Sequence, residues 1–196
     1  MNPEKALKRL VVSQTRLKLI QSFFYFPDQT YYVRQMTRLV EEEINSVRRE
    51  LANLKAAGIL LSEWRASRLF YWVDQKHLFF QDLLSLVLKT KGLGKEIIES
   101  RQRLGQIKAV IFSSAFARNL PRQDDRIDVL VVGSVVLPEL GALVVKEEKL
   151  RDREINYTVM DEKEFRLRKE GRDPFLYQIL LSGRVMIIGS EQELLD

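Results

Sequence analysis

The chain has 196 residues, 45% hydrophobic and 30% charged, with 32 Lys+Arg against 27 Asp+Glu for a net charge of +5. That length accommodates one large domain or two small ones, with enough apolar residues for a core and enough charge for solubility. The absence of cysteine excludes disulfides and thiolate metal sites, His77 is the only histidine, and no run approaches the roughly 20 apolar residues that span a bilayer. No metal, cofactor or membrane partner is therefore expected, and the expected location is the cytoplasm.

Lys5, Lys8 and Arg9 open the chain, but Ser13, Arg16 and Lys18 interrupt the apolar residues that follow, so this is no signal peptide. Ser13 is placed to N-cap a helix that carries Leu17, Ile20, Phe23 and Phe24 on one face and ends near Pro27-Asp28. A second helix is predicted over Tyr32–Val40, a turn at Glu41-Glu42-Glu43, and a third helix over Ile44–Ala57, stopped by Gly58. Ile59–Glu63 and Leu69–Val73 read as hairpin strands on either side of Trp64-Arg65-Ala66-Ser67-Arg68. The aromatic set Trp64, Phe70, Tyr71 and Trp72 is expected to pack that hairpin, and His77 to sit half-exposed at a helix start. Phe79–Leu88 reads as an apolar-faced helix, and Lys91-Gly92-Leu93-Gly94 as its breaker. Domains are accordingly expected over 1–90 and 95–196.

The third helix separates its faces. At roughly 100° per residue, Ile44, Val47, Leu51 and Leu54 form an apolar stripe, Asn45, Ser46, Arg49 and Asn53 lie opposite, and Arg48 takes the flank. Arginine suits guanine, asparagine suits adenine, and serine suits either. Such a helix beside a basic hairpin with Arg65 and Arg68 reads as a winged helix-turn-helix, built to enter a major groove of double-stranded DNA. Positions 1–90 hold 14 Lys+Arg against 9 Asp+Glu, and positions 91–196 hold 18 against 18, so the whole positive excess falls in this half. Glu41-Glu42-Glu43 opposes phosphate at the helix start unless these carboxylates cap the helix, pair with Arg48 or accept from a cytosine amino group.

Beyond Lys91 a charged-faced helix is predicted over Lys95–Leu104, followed by apolar strands at Ile107–Phe112 and Ile127–Val132 and an alternating strand at Glu154–Met160. Helices are expected over Pro138–Arg151, Asp161–Lys169 and Asp173–Leu181, and a last strand over Val185–Ile188. The fold class is α+β, with a mixed sheet in the second domain.

Ile111-Phe112 closing a strand, then Phe116-Ala117-Arg118-Asn119, then Asp125-Arg126-Ile127-Asp128-Val129-Leu130, follow the order of elements in small bacterial nucleotidyltransferases. The second half of the chain thus resembles the DNA polymerase beta superfamily. In that family Phe-Gly-Ser ends the strand, an aromatic-Ala-Arg-Gly element follows, and Ser-Asp-x-Asp with a third carboxylate holds divalent metals. Here Ser114-Ala115 replace Gly-Ser, Arg126 replaces the first Asp, Asn156 falls at the third acidic position, and only Asp128 remains. The alternative register pairs Asp124 and Asp125 with Asp128 and lets Ser113-Ser114 stand for Gly-Ser. Two metals need more than one well-placed carboxylate, so the catalytic centre is expected to be dead. Ser113, Ser114, Arg118, Arg122, Arg126 and Asp128 are left as a candidate metal-free site for a nucleotide or small anion; the simpler alternative pairs Arg126 with Asp125 or Asp128.

The combination resembles a family of bacterial and archaeal transcriptional regulators. It implies a sequence-specific DNA-binding regulator acting as a homodimer, whose second domain dimerises or senses a ligand. Phe79–Leu88 and Lys95–Leu104 are the expected interface. The alternatives are an active nucleotidyltransferase that uses its winged helix to position a target, and an antitoxin-like protein-interaction module.

Overall fold

Two changes of sequence texture, from helical periodicity to a short hairpin and then to long apolar strands, set the architecture. The computed structural model describes residues 2–121 and 126–192. The chain is mixed α and β, with two separate sheets, and divides between Val87 and Leu88 into two compact units. No helix among the described residues is long and apolar enough to cross a membrane.

The first unit begins with α1 (Pro3–Leu10) and α2 (Gln14–Tyr25). Helix α1 is absent from the elements expected above, although Asn2 caps it by accepting from the Lys5 N–H at 2.8 Å and Pro3 stands in its first turn. Ser13 caps α2 as expected. A two-residue strand β1 (Tyr31–Tyr32), also unforeseen, leads into α3 (Val33–Val40) and α4 (Ile44–Ala56). Gly58, at φ +75°, ends α4, with its N–H on Lys55 O and the Ile59 N–H on Leu54 O. Next come β2 (Leu60–Arg65) and β3 (Arg68–Val73), which pair antiparallel in the sheet order β1-β3-β2. The core of this unit gathers Leu17, Phe23 and Phe24 of α2, Met36 of α3, Val47, Leu51 and Leu54 of α4, and Leu60, Tyr71 and Val73 of the hairpin.

The division falls inside α5 (Phe80–Thr90), whose Phe80, Leu84, Val87 and Leu88 are all buried. The helix begins one residue later than expected, and Phe79 before it and Leu86 within it stay exposed. The expected breaker also works differently. Only Lys91 interrupts the helices, and both glycines lie inside α6 (Gly92–Glu99). Gly94 is a point of close approach: a Cβ there would stand 2.1 Å from Leu88 O. The single helix expected over Lys95–Leu104 is broken at Ser100, after which α7 (Arg101–Leu104) begins.

The second sheet starts with β4 (Gly105–Ser113), followed by the single turn α8 (Ser114–Ala117), β5 (Val129–Val135), α9 (Leu137–Arg151) and β6 (Tyr157–Met160). Helices α10 (Glu162–Glu170) and α11 (Pro174–Leu181) lead to β7 (Arg184–Ile188). The order is β6-β5-β4-β7, with β5 and β6 parallel across α9 and the other pairs antiparallel. Strand alternation divides the core. Ala109, Ile111, Leu130 and Val132 cluster with Met160, Phe165, Leu176 and Ile179 on one face. On the other, Val110, Phe112, Val129 and Val131 are buried, and Phe112 meets Phe116 edge-on at 5.0 Å. The strands expected at Ile127 and Glu154 both start later. Asn156 O takes the N–H groups of Asp128 and Val129 where the pairing begins, and residues 127–128 and 154–156 precede the ladder.

Candidate functional site

In the first unit the charged residues converge around α4. Val47, Glu50, Leu51 and Leu54 face inward, while Asn45, Arg48, Arg49, Ala52 and Asn53 are exposed and Ser46 is half-buried. The three glutamates before α4 have separate fates. Glu41 takes a left-handed conformation (φ 53°) that ends α3. Glu42 turns to Lys18 at 2.6 Å. Glu43 caps α4, accepting from the N–H groups of Asn45 and Ser46 at 2.7 and 3.0 Å. Those two bonds, with the charges of Arg48 and Arg49, hold the Glu43 carboxyl below its usual range. It therefore serves the helix start.

Asn53, expected to face a base, donates instead to Glu50 Oε2 at 3.3 Å. Glu50 also accepts from the Ser13 hydroxyl at 2.9 Å and from Arg16 Nε at 2.8 Å. Burial pushes the Glu50 pKa up, and the bonds from Arg16, Ser13 and Asn53 outweigh it and bring it down. Asn53 is thus part of the clamp between α2 and α4. The spacing of Glu50 and Asn53, one turn apart, carries that signal in the sequence.

A groove of about 710 Å³ lies between the α3–α4 pair and the hairpin. Arg34 and Arg38 of α3, Arg48 of α4 and Arg68 of β3 line it, together with Tyr32, Trp64 and Ser67. Arg34 and Arg38 were not singled out from the sequence, although their i, i+4 spacing puts them on one exposed face of α3. Neither forms an ion pair among the described residues. The two hairpin arginines are direct cross-strand partners on one face of the sheet, with different neighbours. Arg68 stands over the Tyr32 ring at 4.9 Å beside the groove. Arg65 pairs with Glu63 at 3.0 Å and covers Phe70 and Trp72 at 5.4 and 5.6 Å, on the outer face of the sheet. His77 is structural, its Nδ1 accepting the Phe79 N–H at 3.2 Å and its Nε2 donating to Ala57 O at 3.1 Å.

In the second unit β4 delivers Ser113 to the start of α8, where its hydroxyl accepts the Phe116 N–H at 3.2 Å. Ser113, Ser114 and Arg126 share a cleft of about 230 Å³ with Gln178, Ser182 and Gly183. Arg118 ends α8, and neither it nor Asp128 lines this cleft. Asp128 is buried, with one oxygen on Arg153 Nη2 at 2.7 Å and the other on the Asn156 N–H at 3.1 Å. The alternative pairing of Arg126 with Asp128 does not occur; Arg126 O instead accepts from the Asn156 amide at 2.8 Å. Arg122, Asp124 and Asp125 lie outside the described residues.

Arg153 is the residue the sequence did not announce. It also donates to Leu120 O at 2.7 Å and lies 5.4 Å from the Phe116 ring centre. Next to it, Arg151 packs over the same ring at 4.4 Å and pairs with Glu147 at 2.6 Å, with both side chains buried. Glu147 takes the Leu93 N–H with its second oxygen at 2.9 Å, tying α6 to α9. A divalent metal needs clustered anionic oxygens. No group of three metal-ligating side chains exists among the described residues, and the Asp128 carboxylate is paired with Arg153.

Comparison of this chain with protein-family models, with curated proteins and with solved structures found no match.

Proposed function

We propose that this chain is a cytoplasmic, sequence-specific DNA-binding transcriptional regulator, in which residues 2–87 form a winged helix-turn-helix and the remainder a catalytically inert nucleotidyltransferase-like domain. The observation that carries the reading is the convergence of Arg34, Arg38, Arg48 and Arg68, from three elements, on one groove beside the exposed face of α4. Arginines from separate elements along a concave surface suit a phosphate backbone, and each phosphate neutralised releases counterions. Asn45 and Arg49, one turn apart on α4, project from the same exposed face and suit adenine and guanine edges in a major groove. In this reading Arg48, Arg34, Arg38 and Arg68 position the protein, and Arg65 and Asn53 serve structure.

A homodimer, reading two half-sites a DNA turn apart, supplies the affinity that one short half-site lacks. The second domain contributes to that dimer or to sensing a nucleotide or small anion in the cleft of Ser113, Ser114 and Arg126. The test is binding of duplexes selected from a random pool, measured over a range of salt. Wild type should bind a preferred sequence with an affinity that falls steeply with salt. Arg49→Ala should cost about 1–3 kcal/mol and relax one base preference, while Arg68→Ala should weaken all sequences and lower the salt slope by about one unit. Binding to no duplex, or binding indifferent to all of these arginines, removes the proposal.

A further inference from the structure

Trp64 breaks the pattern of its own strand. On the face of the hairpin that it shares with Leu60, Tyr71 and Val73, those three are buried against the helices, whereas Trp64 is 68% exposed. The aromatic packing of the outer face is complete without it, through Phe70 against Tyr32 at 5.7 Å and through Arg65 over Phe70 and Trp72. Strand alternation leaves the indole one residue from the tip and aims it over the groove lined by Arg34, Arg38 and Arg48. Its direct cross-strand neighbour is the half-buried Leu69. A large aromatic held in water above a row of arginines has the two components that nucleic-acid surfaces combine, a flat face for bases and cations for phosphates.

We propose that Trp64 is a wedge: with α4 in a major groove, its indole enters the flanking minor groove and unstacks one base step of the duplex. The inference rests on the DNA-binding reading and adds to it a preference for deformable sequence. Pyrimidine–purine steps open most readily, and apolar side chains inserted between such steps kink duplexes and widen the contacted surface. The selected duplexes should then carry TA, CA or TG at a fixed distance from the bases that α4 reads, at a position no hydrogen-bonding side chain contacts.

The chain has two tryptophans, so Trp72→Phe leaves Trp64 as the sole reporter. In that background, the duplex selected by the wild-type protein is titrated while indole emission is followed. A second duplex carries 2-aminopurine at the flexible step. Quenching of Trp64, brightening of 2-aminopurine, and loss of the brightening in Trp64→Ala with affinity about tenfold weaker and partly restored in Trp64→Phe are the expected results. Circular dichroism of Trp64→Ala should match wild type, since the side chain is exposed. Arg48-dependent duplex binding with unchanged indole emission and Trp64→Ala within twofold of wild type overturns the wedge and leaves the DNA-binding reading standing. Equal or tighter quenching by the separated strands overturns the wedge in favour of a single-strand platform. Absence of any duplex binding overturns both.

Discussion

Asp128 gives the sharpest test of what the second unit does, because a catalytic carboxylate and a structural one respond differently to loss of charge. Asp128→Asn keeps the shape and an acceptor for the Asn156 N–H, but strands the guanidinium of Arg153. Removing one partner of a buried ion pair costs about 3–5 kcal/mol. Here the side chains are 15% and 7% exposed, and Arg153 keeps its bond to Leu120 O. The lower end, about 3 kcal/mol, is therefore expected. At about 4–8 °C per kcal/mol for a domain of this size, the melting temperature should fall by roughly 12 °C or more. Thermal and urea unfolding followed by far-UV circular dichroism gives the loss. Adding Arg153→Met removes the stranded charge and should recover most of it, giving a coupling energy of about 2 kcal/mol between the two positions. Well below the variant's melting temperature, DNA affinity should be unchanged. A single variant within about 1 kcal/mol of wild type, or no coupling with Arg153→Met, would refute the anchoring role.

Other outcomes follow from the same physical arguments. Incubation with labelled nucleoside triphosphates and Mg²⁺ or Mn²⁺ should yield no labelled product, and Arg126→Asp alone should not create activity; metal-dependent transfer abolished by Asp128→Asn would favour an enzyme. Glu50 has a lowered pKa when folded, so its contribution is present above the unfolded value of about 4.3 and is lost as pH falls through the folded value. Urea midpoints of wild type should therefore drop on acidification through this range, and Glu50→Gln should flatten the drop. Asn45→Ala should change base preference at one position without altering stability, whereas Asn53→Ala should lower stability and leave the preference intact, as selection on random duplexes and unfolding curves would show. Gly94→Ala should destabilise by about 1–3 kcal/mol through its contact with the Leu88 carbonyl; unaltered unfolding would show that the two helices separate easily there.

The sequence announced the elements whose signals are local. The periodicity of α4, the cap at Ser13, and the apolar runs of β4 and β5 all depend on residues within a turn or two of each other. What it concealed depends on distance along the chain. Asp128 and Arg153 are separated by the whole of α9, and no spacing rule connects them. The break at Ser100 and the helix opened by Gly92 follow from packing, with Leu93 held by Glu147 from α9. The candidate groove was half legible. The face of α4 was visible in its pattern, but the closing of Arg34 and Arg38 against Arg68 needed the turn between α3 and α4 and the register of β3. Trp64 was grouped with its aromatic neighbours because composition cannot tell an inward face that has run past its core from one that has not.

The strand order of the second sheet has a consequence for how the protein is made. Strand β4 is central, yet one of its two partners, β7, is translated only after β5, α9, β6, α10 and α11. On the ribosome, Val110–Ser113 must wait with one edge open while all of that chain emerges. The first unit draws every strand of its sheet from residues 31–73 and can close early. Nascent chains fold domain by domain from the N-terminal side, and open strand edges invite wrong partners during the delay. Overproduction at high temperature should therefore yield aggregates in which the first unit is already structured, and slowing translation should have its effect through the region between Ser113 and Arg184.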